Sequence, residues 1–560
     1  MIHIQRYISR TQITALILFL ALTAPISAQR ISRLPLDTAP ILSGNFGELR
    51  PHHFHSGIDF KTEGVVGKPI YSVDSGYVAR INISPYGYGK VIYINHPSGL
   101  TSVYAHLDGF SHPLDSIVEE YQYRLESFAV NILFREGEVP INSGQLIALS
   151  GNSGSSAGPH LHFELRDTRS NIALNPQRYL PIEIPDTRKP IINAVLIAPL
   201  NKSSVVNNKN EHSIVRVSQA GKLISKSTPN AWGAIVAGIK ATDYMNNTHN
   251  RFGVERVKLS VDDSLHFESI VNEIPLNDSR SFNSHIYYPE WKESRQFFMR
   301  SHREKGNRLN LYTTYESDGV IHIDEERPYK IRYQLFDYAG NSSSIQFTIQ
   351  GVKPKEEIVD STDVLLFPHN RESRFENEEF TLFIAAGGLY DDIHFEYLKR
   401  SIDSLYSSVH SIHTPYIALH SGAEIGIRVT NDTIENKQRY FVGELVGKRI
   451  RAIGGRYENG WMRANVSEFG EYVVDIDTVA PEITSVGALR FRIKDRKSGI
   501  KTYKGTLDGE FILMEYDAKR NALDAKPSRK RVGTKKERLF KLIVEDNCGN
   551  TAIYQRKVVI

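Results

Sequence analysis

Three short stretches of this chain carry side chains able to hold a cation or move a proton. In the run Phe46-Gly47-Glu48-Leu49-Arg50 that leads into His55-Ser56-Gly57-Ile58-Asp59, a histidine and an aspartate stand four residues apart. On an extended chain such residues point the same way, so an imidazole and a carboxylate face one point, and Gly57 between them leaves room for backbone or metal. The run Gly151-Asn152-Ser153-Gly154-Ser155-Ser156-Ala157-Gly158-Pro159-His160-Leu161-His162-Phe163-Glu164 passes from a glycine- and serine-rich loop into a strand. His160 and His162 share one face of that strand, and Leu161 and Phe163 take the other, towards a core. Tyr104-Ala105-His106-Leu107 supplies a further imidazole at the end of an alternating run. Alone, each signal is weak. Twenty histidines in 560 residues give roughly 0.7 His-x-His pairs by chance, and His53-Phe54-His55 is already a second one. A single strand histidine is more often a hydrogen-bonded structural residue. Together in one β-rich segment, however, they would be a series of costly polar burials without a purpose.

The elements that must position them are short strands. Ile70 to Val73, Gly76 to Ile83, Lys90 to Asn95 and Thr101 to Leu107 each alternate with the two-residue period of a half-buried strand, which predicts an antiparallel β unit. The exception is Leu114 to Leu125, where Leu114, Ile117, Val118, Tyr121 and Leu125 recur at helical spacing, so one inserted helix is expected.

Taken together, these stretches resemble the lysostaphin-like (LytM-type) zinc metallopeptidases, whose hallmarks are a His-x-x-x-Asp pair, a Tyr-x-His-Leu strand and a Gly-Pro-His-Leu-His strand in that order. The resemblance covers about residues 40 to 180 and extends to Gly76-Tyr77-Val78, Gly87, Gly89 and Gly144-Gln145-Leu146-Ile147. It implies that His55, Asp59 and His162 ligate one Zn2+ per chain, with His106 and His160 beside the metal as catalytic groups. Two nitrogens, one carboxylate oxygen and a fourth position open to water make up a catalytic rather than a structural zinc site, and a single cysteine, Cys548, excludes a closed thiolate site. The implied activity is hydrolysis of peptide cross-links or stem peptides in bacterial peptidoglycan, with D-alanine to diamino-acid links preferred over glycine bridges. His160 is the expected base, and His106 the group that stabilises the oxyanion or protonates the leaving amine. The competing reading is a catalytically silent envelope scaffold or activator that binds wall polymer or a protein partner; such relatives typically lack one or more ligands, whereas all five positions are filled here. The stretch Asp108 to Val139 is longer than in the simplest members of the family. It begins just after His106, so it is expected to flank the substrate groove.

The rest of the chain predicts a mainly β protein of several domains. Arg6 and Arg10, the apolar run Ile13 to Thr23 and the small exit Ile26-Ser27-Ala28 read as a signal peptide over 1–28, with no transmembrane segment after its removal. Export to the periplasm or cell envelope, or beyond the cell, is therefore expected. Losing Arg6 and Arg10 lowers the formal charge from +4 to +2, too little to argue for nucleic acid as a partner. The metallopeptidase unit is placed at 29–185. Asp186-Thr187-Arg188-Lys189-Pro190 is echoed by Asp477-Thr478-Val479-Ala480-Pro481, and Asp337-Tyr338-Ala339-Gly340-Asn341 by Asp546-Asn547-Cys548-Gly549-Asn550. These echoes bracket two immunoglobulin-like β-sandwiches, 186–352 and 477–560, on either side of a β-rich domain of unknown role, 353–476. A basic run from Lys526 through Arg529, Lys530, Arg531, Lys535, Lys536 and Arg538 reads as a solvated hairpin loop, with contact to anionic envelope polymer as the alternative.

Overall fold

Alternating apolar residues dominate the chain, and the computed structural model is accordingly built mostly of antiparallel strands. It describes residues 31–559 apart from 219, 226, 315, 316, 356–364 and 527–536. The expected signal segment, and Arg529, Lys530, Arg531, Lys535 and Lys536 of the basic run, lie outside the described residues. No described helix is long and apolar enough to cross a membrane.

The strands that matter for the site are β1 (Leu42–Gly44), β2 (Ile58–Lys61), β3 (Gly76–Ile83), β4 (Lys90–Asn95) and β5 (Leu100–Ala105). Helix α1 (Leu114–Arg124) follows, then β6 (Val130–Leu133) and β7 (His160–Asp167). Their order across the sheet is β1-β2-β7-β5-β4-β3-β6, so β7, late in the chain, lies between β2 and β5 near the sheet's middle. A small sheet of Pro69–Tyr71, Leu146–Leu149 and Gly109–Phe110 accompanies it. The expected strands are recovered within one or two residues at each end, and the inserted helix ends one residue early, at Arg124. Leu114 and Val118 are its buried apolar contacts.

β7 is buried along both faces. Leu161, Phe163 and Leu165, none measurably exposed, fill the apolar core, while His162, Glu164 and Arg166 are also buried on the opposite face. A strand with a buried polar face must satisfy each of those polar groups internally.

Downstream, a 12-stranded sheet whose long strands are Ile191–Pro199, Asn230–Thr242, Pro328–Phe336 and Ser342–Gly351 curls around its own core. Next, two five-stranded sheets enclose a core that includes Phe380, Ile412 and Val474. Finally, two four-stranded sheets enclose Phe491, Leu523 and Phe540. Two short helices, Phe282–His285 and Tyr288–Ser294, have no apolar period to announce them in sequence. They form because they pack on a neighbour: Phe282 meets Phe54 edge-on at 5.0 Å and Trp291 meets His52 at 4.6 Å.

That neighbour is the first domain, whose core does not close on itself. It runs without a break from Ile31 and Leu180 into Phe252, Ile274, Phe282, Trp291 and Leu309. Ile172–Leu174 also pairs antiparallel with Glu273–Pro275, extending the first sheet with a strand from the second region. The last domain reaches back as well, mostly through charge. Lys90 pairs with Glu515 at 2.8 Å, Lys504 pairs with Glu126, and Lys519 Nζ donates to the Ser156 carbonyl at 3.0 Å, with Tyr123 against Phe511 as an aromatic contact. A chain ending at residue 185 exposes the apolar seam shared with 245–312. It is expected to be less soluble and to unfold at a lower temperature than a chain ending at 352, by solution yield and thermal melting.

Candidate metal centre

Strand register brings the first two donors together. In the β2–β7 pair Asp59 stands directly opposite His162, so their side chains leave the same face of the sheet as neighbours. His55 enters from the loop before β2, and the chain must come close to β7 there: a Cβ on Gly57 would sit 2.3 Å from the Phe163 carbonyl oxygen. The glycine therefore serves backbone approach.

Three atoms converge. His55 Nε2 lies 2.9 Å from His162 Nδ1, His162 Nδ1 lies 2.9 Å from Asp59 Oδ1, and His55 Nε2 lies 3.0 Å from Asp59 Oδ1. All three residues are buried. The outward nitrogen of each imidazole is already committed: His55 Nδ1 donates to the Asn45 carbonyl at 2.7 Å, and His162 Nε2 donates to Glu164 Oε1 at 2.8 Å. In the neutral rings both inward nitrogens are thus lone pairs, facing a carboxylate oxygen. A tetrahedral metal with bonds of about 2.0–2.1 Å holds ligand atoms about 3.3 Å apart, so a small expansion of this triangle accepts one. The donor set of two nitrogens and one oxygen fits zinc, and Asp59 is held to one ligating oxygen because Oδ2 accepts from Arg50 Nη2 at 2.7 Å.

Electrostatics point the same way. Burial would lift the Asp59 carboxyl, but His55, His160 and His162 hold it well below the ordinary carboxylate value. Burial pushes His55 down to about 4, despite Asp59. On His162 burial also opposes charge, yet hydrogen bonds with Asp59 and Glu164 prevail and lift it to about 9.

The remaining two imidazoles line the same pocket. His160 Nδ1 donates to the Gly158 carbonyl at 2.9 Å, while its buried Nε2 lies 3.5 Å from Asp59 Oδ1 and makes no hydrogen bond. His106 arrives by a different device. Ala105 pairs with His162 and shares its face, so continued pleating would send His106 to the opposite, apolar face with Tyr104. Instead His106 takes a left-handed backbone with φ of 60°, a conformation costing an ordinary residue about 1–2 kcal/mol. That turn sets its ring 4.9 Å from His160 and 5.8 Å from His162. Its Nδ1 donates to the Ser153 carbonyl at 3.0 Å, and burial together with the neighbouring imidazoles pushes it down to about 3.

All five residues singled out in sequence thus meet. Glu164 was passed over although it stood in the same motif; two residues beyond His162 on one strand, it had to share that face. Ser56 Oγ reaches Glu164 Oε1 at 2.6 Å, Tyr88 OH at 2.5 Å, and Arg166 Nε reaches Oε2 at 2.6 Å. Burial would raise Glu164, but Arg166 and His162 hold it far below the usual carboxylate range, so it stays ionised.

Residues 53–123, which include His55, Asp59 and His106, match peptidase family M23. The N-terminal domain is an M23 peptidase domain. Residues 364–477 match a Zu5-like domain. The peptidoglycan DD-endopeptidase ShyB of Vibrio cholerae serotype O1 is 34% identical over 142 residues, 24% of this chain and 27% of ShyB. ShyA of the same organism is 32% identical over 146 residues, 25% of this chain and 28% of ShyA. The chain thus spans little more than a quarter of the length of these relatives. Among solved structures, a zinc-containing peptidase from Vibrio cholerae is 29% identical, covers 27% of this chain and 40% of its own, and has a TM-score of 0.20.

Because Glu164 fixes the His162 tautomer and ring plane, Glu164→Gln is expected to weaken zinc binding by about 10–100-fold without unfolding the protein. Competition with a chromophoric chelator, with circular dichroism as the folding control, measures it. Unchanged affinity would assign Glu164 to packing alone.

Proposed function

We propose that this protein is an exported zinc-dependent endopeptidase that hydrolyses peptide cross-links or stem peptides of bacterial peptidoglycan. The observation that carries the reading is the His55–Asp59–His162 triangle with two further imidazoles at its edge, in a domain of the M23 family. ShyA and ShyB are named as peptidoglycan DD-endopeptidases, which supports the substrate class. Zinc bound in the triangle would supply a Lewis acid for the scissile carbonyl and make water acidic enough to attack near neutral pH.

The chain's own groups then handle protons. His160, with Nδ1 donated to Gly158, turns a bare Nε2 towards the cluster, so it accepts the proton of the attacking water and returns it to the leaving amine. His106 has its Nδ1–H committed to Ser153 and resists protonation, so it offers a lone pair rather than a proton. It orients the water by accepting a hydrogen bond. The alternative role, in which His106 stabilises the oxyanion or protonates the amine, needs a donor at its other nitrogen, Nε2. Arg50 fixes Asp59 from behind.

A cleft of about 630 Å³ is lined by the Asn152–Ala157 loop, whose Ser153 carbonyl holds His106, and by Glu515–Arg520 of the last domain. The domains 186–352 and 477–560, read as immunoglobulin-like, would present this cleft to wall polymer or a protein partner in the periplasm or cell envelope.

His106→Ala and His160→Ala are each expected to retain one zinc per chain while losing about 10²–10⁴-fold in turnover. His162→Ala is expected to lose both. Elemental analysis for zinc and mass spectrometry of digested, cross-linked muropeptides check this. Wild-type protein that holds zinc yet leaves muropeptides intact would instead favour the scaffold or activator reading.

A further inference from the structure

A second carboxylate cluster lies where the M23 domain hands over to the 12-stranded sheet. Asp186 sits in the connecting segment, Asp243 follows the strand Asn230–Thr242, and Asp337 follows the strand Pro328–Phe336. One carboxylate oxygen from each lies within 4.8 Å of the others. Asp243 and Asp337 are 2% and 3% exposed. Among the described residues no lysine or arginine forms an ion pair with any of the three. Arg188, whose charge pulls on Asp186 and Asp243 without pairing with either, lies over the Tyr244 ring.

The hydrogen bonds are unevenly shared. Asp337 accepts from the Asn341 backbone N–H at 2.8 Å and from its side-chain Nδ2 at 2.9 Å, and Asp186 Oδ1 accepts from the Arg188 N–H at 3.0 Å. Asp243 Oδ1 is buried with no partner. Leaving an ionised carboxylate oxygen dry and unpaired costs several kcal/mol in general, on the order of a whole buried ion pair.

The last domain repeats the arrangement and supplies a control. Asp477, Asp495 and Asp546 also bring one oxygen each within 4.8 Å. Asn550 Nδ2 bridges the Asp477 carbonyl and Asp546 Oδ2, as Asn341 Nδ2 bridges the Asp186 carbonyl and Asp337 Oδ2. There, however, the turn after Asp495 folds amides onto the cluster. Lys497 and Gly499 N–H groups reach Asp495 Oδ1 at 3.0 and 2.6 Å, and the Ser498 N–H reaches Asp477 Oδ2 at 3.0 Å. Cys548 and Asn550 N–H groups satisfy Asp546 Oδ1 at 2.9 and 2.8 Å. The same frame is therefore satisfied by backbone amides at one joint and keeps an unpaired, buried carboxylate oxygen at the other.

We propose that Asp186, Asp243 and Asp337 bind a calcium ion, distinct from the zinc centre, that clamps the connection between the M23 domain and the sheet. Oxygen-only, carboxylate-rich donors select a hard cation, and their irregular placement around a linker suits calcium, whose 6–8 ligands at about 2.3–2.6 Å tolerate uneven geometry better than magnesium's octahedron. Burial and repulsion from Asp337 and Asp186 push Asp243 up to about 8, burial and Asp186 raise Asp337, and burial raises Asp186 against the pull of Arg188, a strain that a bound dication relieves. The ion also has something to hold. Tyr338, next to Asp337, donates its hydroxyl to the Gln177 carbonyl of the M23 domain at 3.0 Å, so order at the cluster is transmitted across the joint.

The test uses zinc-loaded, full-length protein in calcium-free buffer, titrated with calcium chloride by calorimetry and followed by thermal melting. One calcium ion per chain and a higher melting temperature are expected. Asp243→Asn should weaken calcium binding at least about tenfold. In calcium-free buffer at about pH 9, where Asp243 with its carboxyl pushed up to about 8 is ionised, it should melt at or above the wild-type temperature, because the amide removes a buried charge; a purely structural aspartate would give a loss in both buffers. Asp495→Asn, at the amide-satisfied cluster, should bind calcium as the wild type does. Absence of calcium uptake, full uptake by Asp243→Asn, lost uptake in Asp495→Asn, or equal binding of magnesium would each overturn the assignment.

Discussion

One cross-strand pair governs the catalytic domain: Asp59 on β2 opposite His162 on β7. Because side chains alternate along a strand, a slip of one residue would turn the histidine into the apolar core and bring Leu161 or Phe163 to the metal face. The register is held by that core, since the residues flanking His162 are among the most completely buried of the domain. Hydrophobic packing on one side of the sheet therefore fixes chemistry on the other. His55 adds the third donor only because Gly57 permits a backbone approach that no side-chain-bearing residue could make.

Around that pair the polar groups form two shells of different purpose. Glu164, Arg166, Tyr88 and Ser56 satisfy one another behind His162 and fix which nitrogen faces the ion. In front, His106 and His160 each lose one nitrogen to a loop carbonyl and keep the other for the pocket. The loop from Gly151 to Pro159 thus sets the orientation of both rings although it contributes no side chain of its own to the cluster. Its glycines and serines fold it tightly enough to aim two carbonyls at two rings.

The five site residues were legible in sequence because each sat in a short motif whose strand parity could be read, and the fold class was legible because alternation is strong in β3, β4 and β5. The left-handed turn at His106 was not, since parity alone places that ring on the wrong face and only tertiary contact with the Ser153 carbonyl explains the exception. Glu164 was overlooked because a glutamate on a strand carries no signal until its partners, distant in sequence, are known. The helices Phe282–His285 and Tyr288–Ser294 escaped for a related reason: they are held by Phe54 and His52 of another domain, and nothing in their own spacing records it.

The catalytic domain is gripped at its two ends by different physics. Towards residues 245–312 the seam is apolar and continuous with the core, so dissolved salt leaves it intact. Towards the last domain the grip is mostly lysines on carboxylates and carbonyls, with Tyr503 and Leu513 packed on the core, and exposed ion pairs of that kind weaken as salt rises. Ionic strength therefore acts first on the contacts behind the cleft wall formed by Glu515–Arg520, and leaves the sheet that carries Asp59 and His162 as it is.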